Sequence, residues 1–158
     1  MISVRSVARD DARAQSDRTF VEDLGRRCAM ASVSTLRRAP EAVVAGAYGR
    51  LVEIVEGHSH VTFIAEDGER RVGFLLMLDD LPDEVTALPQ AFIAYMAVEP
   101  EFRGRGAGRA LLAAAEAEAR ERGLPHLTLM VTEENDAARR LYERDGFQTE
   151  RRLLCKTL

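Results

Sequence analysis

The chain has 158 residues, 46% of them apolar and 30% charged, with a formal net charge of −4. That size and balance fit one folded domain over residues 1–158 that can bury a core without staples, and they lie far from those of a disordered chain. The acidic balance disfavours nucleic acid as a main partner, because neutralising phosphates calls for a basic face.

Cys28 and Cys155 have no motif spacing, which argues against a disulfide framework or a metal site. The opening "MISVRSVARDDARAQ" carries charges where a secretion signal needs an apolar core. No apolar run approaches the ~18 residues that span a bilayer. The expectation is a cytoplasmic protein with reduced thiols and no membrane partner.

"ISVRSV" alternates as a short first strand does. Residues 10–30 mix Phe20, Val21, Leu24 and Met30 with charges and predict a helix. "SVSTLRRAP" breaks the pattern, and Pro40 suits a helix start. Over 41–55, Val44, Tyr48, Leu51 and Val55 recur at helical spacing. "VTFIAE" and "RVGFLLML" flank "DGER", which predicts a hairpin with a four-residue loop. "DDLPDEVTALPQ" is polar, holds two prolines and reads as a loop. "AFIAYMAV" is an apolar run of the kind a strand buried on both faces shows.

Residues 107–122 predict a helix with Leu111, Leu112, Ala115 and Ala119 as its apolar stripe. Glu116–Arg120 and Glu118–Arg122 are (i, i+4) pairs, and Gly123 and Pro125 end it. "HLTLMV" follows as a strand. Asn135 suits the N-cap of "DAARRLYERD", and Gly146 its end. "FQTERRLLCK" predicts one or two last strands. The class is a mixed α/β fold: a central mixed sheet flanked by helices, in the order β-α-α-β-β-β-α-β-α-β(-β).

"EPEFRGRGAG", residues 99–108, sits between an apolar strand and a helix start. Gly104, Gly106 and Gly108 leave the backbone uncovered, so successive N–H groups and the helix terminus can meet an anion. Arg103, Arg105 and Arg109 add charge. A solvated glycine turn is the plain alternative. A P-loop is ruled out, because no Gly-Lys-Ser/Thr follows. A dinucleotide loop fits less well, since Arg109 stands where its third glycine belongs and the glycines begin some residues past the strand.

The stretch resembles the acyl-CoA diphosphate motif [Q/R]-x-x-G-x-[G/A] of the GNAT N-acetyltransferases, with Arg103, Gly106 and Gly108 in its fixed positions and Val98 and Pro100 as the V-x-P lead-in. "NDAARRLYERDGF", residues 135–147, is similar to that family's N-x-x-A-x-x-L-Y-x-x-x-G-F segment at every fixed position. The resemblance covers about residues 61–150, and the first 60 match in outline only.

The resemblance implies acetyl transfer from acetyl-CoA to a primary amine of a small molecule or peptide, with no metal. It implies that Met96, Ala97 and Val98 pair with the pantetheine arm and that Gly104 to Arg109, with Ala107 between the glycines, hold the diphosphate. It further implies that Asn135 touches pantetheine and that Tyr142 is the general acid. Ser32, Ser34 and Arg37 fall where the acceptor site is commonly lined. A homodimer through the last strand is common in the family.

Two departures stand out. The family's strand carboxylate would fall near Ala94 and Tyr95, where no acid stands. A glutamate typical of members that acetylate protein N-termini is replaced by Met130. Asp79, Asp80 and Glu99 remain as candidate bases, and a non-catalytic acyl-CoA sensor is the rival reading. His58 and His60 would share a strand face, but a solvated turn explains them more simply.

Overall fold

Strand β1 (Ile2–Ser6) leads to helix α1 (Ala14–Cys28), a 3-10 turn at Ala29–Ser32 and helix α2 (Glu41–Glu56). Strands β2 (His60–Asp67), β3 (Arg70–Leu78) and β4 (Ala91–Val98) follow, then α3 (Ala107–Glu121), β5 (Leu127–Leu129) and α4 (Asp136–Arg144). The computed structural model describes residues 1–158.

The strands lie in chain order in one sheet, antiparallel from β1 to β4, with β5 parallel to β4. The β2–β3 turn is tighter than the sequence predicts. Asp67 pairs with Arg70, which leaves only Gly68 and Glu69 between the strands. Gly68 has φ +62°, as the first central position of a type II′ turn requires.

The strand buried along almost its whole length on both faces is β3, not β4. Val72, Leu75 and Met77 join the core under α3, while Phe74, Leu76 and Leu78 join the core under α1 and α2. The α3 stripe of Leu111, Leu112, Ala115 and Ala119 fills the first of these. Asp17 of α1 is the one buried charged side chain. Arg5 of β1 grips it with two bonds of 2.8 Å, and Arg71 of β3 adds a third at 2.6 Å. Burial pushes the Asp17 carboxyl up, but the two guanidiniums outweigh that and hold it below its usual range.

On the other helix of that face, the Tyr48 hydroxyl donates to the Val21 carbonyl at 2.8 Å. Its ring lies over Gly25, where a Cβ would sit 1.9 Å from Tyr48 Cζ. A glycine in mid-helix is explained here by the close approach of α2 to α1.

The last strands expected from "FQTERRLLCK" do not form. Residues 148–158 lie exposed outside any strand. The two leucines there are adjacent, Leu153 and Leu154, so no period-2 face exists to bury. Arg151 instead pairs with Asp83 and Glu84 of the β3–β4 loop. The outer edge of β5 therefore stays unpaired, and the last strand, through which members of the resembled family commonly dimerise, is absent.

Candidate active site

Strands β4 and β5 pair only over Ala91–Ile93 and Leu127–Leu129. Beyond Ile93 the two strands part. Tyr95 pairs with Leu76 and Ile93 with Met77, so Ala94 is an extra residue in β4, a bulge that bends the strand. Ala94, Tyr95 and Met96 are half-buried although the run is apolar. The Glu99 N–H donates to the Val72 carbonyl at 2.8 Å. Strand alternation then turns the N–H groups of Tyr95 and Ala97 toward β3 and those of Met96 and Val98 toward the open side. Of the three expected edge residues, Ala97 thus spends its N–H on β3.

The glycine loop stands at the foot of this open edge. After a 3-10 turn at Pro100–Phe102, Gly104 and Gly106 take φ +76° and +92°. No atom lies within 4 Å of a Cβ built on either, so the space above them is free. Gly106 is the left-handed N-cap of α3 and supplies no capping side chain. The N–H groups of Gly104 and of Gly106 through Arg109 have no protein acceptor. They converge at the positive end of a 15-residue helix. The missing side chain of Gly108 also serves packing: a Cβ there would meet Leu141 of α4 at 3.0 Å.

Arg103, Arg105 and Arg109 flank the loop, and none pairs with a carboxylate, although most other arginines of the chain do. Arg103 Nε donates to the Val98 carbonyl at 3.3 Å and Nη2 points at Cys28 Sγ, 3.6 Å away. The Arg105 guanidinium lies 5.1 Å from the centre of the buried Phe102 ring. Three cations without a carboxylate partner stand beside five N–H groups without a protein acceptor, an arrangement able to hold a multiply charged phosphate.

Helix α4 closes the other side. Asn135 Oδ1 accepts the Ala138 N–H at 3.3 Å, the capping bond expected of it. Tyr142 packs against the α3-side core and meets Phe147 edge-on at 5.7 Å. Burial, with the Tyr95 phenol nearby, pushes its hydroxyl up to about 12. The Tyr142 phenol is therefore neutral and proton-bearing at physiological pH.

The residues expected on the acceptor side lie in the segment between α1 and α2. The Ser32 carbonyl accepts a hydrogen bond from Thr132 Oγ1 at 2.6 Å, and the Ser32 side chain lies near the Tyr95 phenol. Ser34 Oγ reaches Glu134 at 3.4 Å. Arg37 is exposed and unpaired. Sequence reasoning missed Tyr95, Thr35, Thr132 and Glu134 as members of this group. A hydroxyl-bearing tyrosine inside an otherwise apolar strand was the one local signal. The rest depends on contacts about 100 residues apart in the chain.

The candidate bases are otherwise engaged. Glu99 is gripped by Arg27. Asp79 pairs with Arg122, and Asp80 with His58 at 3.1 Å. Both aspartates follow Leu78, which pairs with Phe92, so they lie about 20 Å along the sheet from Val98. His60 bonds the His58 carbonyl at 2.8 Å. No three His, Cys, Asp or Glu side chains gather as metal ligands. A cavity of about 430 Å³ between α1, α2 and the sheet includes Val7, His60 and Leu76, at the end of the sheet away from the loop. No helix is long and apolar enough to cross a membrane.

The geometry of the site is thus a split sheet, a glycine loop with unpaired N–H groups at the foot of the split, and a half-buried phenol on α4. Comparison with known proteins supplies the family. The model of the acetyltransferase (GNAT) family matches residues 18–147, and the chain belongs to that family.

Among curated relatives, a mycothiol acetyltransferase of Thermobispora bispora is 42% identical over 85 residues, 54% of this chain and 29% of that protein. An acetyltransferase of Yersinia enterocolitica is 43% identical over 56 residues, 35% of this chain and 40% of that one. The matched part is thus less than half the length of either relative. Among solved structures, a protein of Pyrococcus furiosus described as an acetyl transferase superposes over 100% of both chains, with TM-score 0.81 and 22% identity. The aminoglycoside N-acetyltransferase AAC(6')-Iy in complex with CoA superposes with TM-score 0.69 at 16% identity, over 100% of this chain and 95% of that one. At these identities the two structures establish the fold.

Proposed function

We propose that this chain transfers the acetyl group of acetyl-CoA to a primary amine of a small molecule or a peptide, by direct attack. The observation that carries the reading is the set of unpaired N–H groups at Gly104 and Gly106 through Arg109, at the foot of the open β4 edge. CoA bound to AAC(6')-Iy, a protein of the same fold, supports it.

Acetyl-CoA supplies the activated acetyl group. The loop N–H groups and Arg103, Arg105 and Arg109 hold its diphosphate. Met96 and Val98 pair through their outward backbone groups with the amide-like arm, and Asn135 offers its free amide nitrogen to the same arm. Outward N–H groups on that edge also stand ready for an oxygen that gains negative charge during transfer. Tyr142 gives its proton to the departing sulfur; a raised phenol remains a donor across the whole range in which amines react. Ser32, Ser34 and Arg37 line the acceptor side. No carboxylate is assigned as base, so the amine sheds its proton to water and reacts as its free-base fraction.

Release of free thiol from acetyl-CoA, followed against a panel of amines, tests the reading. Release on one amine class supports it and names the acceptor. Tight acetyl-CoA binding without release on any amine favours a non-catalytic acyl-CoA sensor instead.

A further inference from the structure

The segment between α1 and α2 is fastened to the head of α4. Glu134 Oε1 accepts three hydrogen bonds from it: Thr35 Oγ1 at 2.7 Å, the Thr35 N–H at 3.1 Å and Ser34 Oγ at 3.4 Å. A fourth bond runs the other way, from Thr132 Oγ1 to the Ser32 carbonyl at 2.6 Å. The receiving segment is itself braced, since Asn135 N–H donates to Thr132 O at 2.9 Å and Asp136 N–H to Glu134 O at 3.0 Å. At its other end the segment comes close to β4, where the Ser32 side chain lies near the Tyr95 phenol. Residues 32–35 therefore bridge the gap that opens where β4 and β5 part.

Glu134 directly precedes Asn135, the N-cap of α4, and Tyr142 lies two turns on, about 10 Å along the helix. One carboxylate oxygen thus links the acceptor-side segment to the helix that carries both the capping asparagine and the buried phenol. The Thr35 hydroxyl bond, first among several, holds the Glu134 carboxyl below its usual range, so it is an ionised, acceptor-only group at neutral pH.

We infer that Glu134 is a positioning residue for the proposed acetyl transfer, clamping residues 32–35 to the head of α4 so that the acceptor meets a wall already ordered. The inference rests on the function proposed above. Its physical content is preorganisation: a segment tied down beforehand need not lose its freedom when the acceptor binds. The clamp should therefore act on acceptor affinity and leave the diphosphate loop, on the other side of the split, untouched. It needs an oxygen acceptor at the reach of a glutamate, not a charge, so a glutamine can replace it.

The test compares Glu134→Ala and Glu134→Gln with the wild type in three measurements: acetyl-CoA affinity by calorimetry, amine-dependent thiol release, and amide hydrogen exchange. Glu134→Ala is expected to raise the acceptor KM roughly tenfold, to leave acetyl-CoA affinity within about twofold, and to speed exchange at residues 32–36. Glu134→Gln is expected to restore most of all three. Unchanged exchange in Glu134→Ala would overturn the clamp, whatever the activity. Equal damage from Gln and Ala would overturn the positioning role in favour of a charge role. Exchange that speeds in Glu134→Ala while the wild type releases no thiol on any amine would remove the transfer reading, and with it the role, but not the clamp.

Discussion

Arg27 of α1 grips Glu99, the residue that follows β4, with Nη2 to Oε1 at 2.7 Å and Nη1 to Oε2 at 3.0 Å. Both carboxylate oxygens are used, and the fork holds α1 against the start of the glycine loop. A carboxylate with both oxygens so engaged acts as a brace. Glu99→Gln should cost about 1–2 kcal/mol of stability, as expected for a half-exposed charge-assisted pair. It should leave the pH dependence of thiol release unchanged. A loss of the alkaline rise in rate would instead return Glu99 to the role of base.

The hydroxyl of Tyr142 makes no hydrogen bond that shapes its titration; burial comes first among the causes, then Tyr95. Tyr142→Phe should therefore keep the fold and acetyl-CoA binding while lowering kcat by roughly 100-fold or more. In the wild type the rate should climb with the free-amine fraction and show no falling limb up to pH 10. A phenol raised to about 12 keeps its proton there, whereas an unshifted one would already be half ionised. The same shift means that folding stability falls as pH rises from about 10 toward 12, because the folded phenol holds its proton more tightly than the unfolded one. Rate profiles of both forms between pH 7 and 10 check the role.

Gly25→Ala should destabilise the protein by about 2–4 kcal/mol, since the new methyl must displace the Tyr48 ring from its place between α1 and α2. The displaced ring also loses its contact with Tyr95, 4.9 Å away, so the effect should reach the acceptor side. Thermal unfolding gives the first quantity, and acceptor KM the second.

Asp17→Asn leaves Arg5 and Arg71 facing a buried amide and should cost about 3–5 kcal/mol at neutral pH. The Asp17 carboxyl is held below its ordinary value, so its contribution is present above pH ~4 and lost as pH falls through the folded value. Denaturant unfolding of the two forms should therefore differ at pH 7 and converge in acid.

The loop and its helix were legible in the sequence because each carries its own local grammar. Glycines at 104 and 106 announce left-handed backbone, an apolar stripe announces α3, and Asn135 with Gly146 brackets α4. The opening of the sheet was not legible. "AFIAYMAV" is apolar from end to end, and nothing in it says that pairing with β5 stops at Ile93 or that Ala94 bulges. Thr35 and Glu134 carry no signal either, since their bond joins segments 99 residues apart. The last strands were misread because an adjacent leucine pair resembles strand composition while lacking the alternation that would bury it. Asp79 and Asp80 looked available only because sequence cannot show which end of the sheet they occupy.

The account depends first on the glycine loop being the place where acetyl-CoA binds. The measurement that tests this most directly is calorimetric titration of acetyl-CoA into the wild type and into Gly106→Val. A β-branched side chain at φ +92° strains the cap of α3 and fills the free space above the loop. The account predicts saturable binding to the wild type and at least a roughly tenfold loss in the variant, with the fold retained by circular dichroism. Equal affinity of the two proteins, or no binding to the wild type, would contradict it.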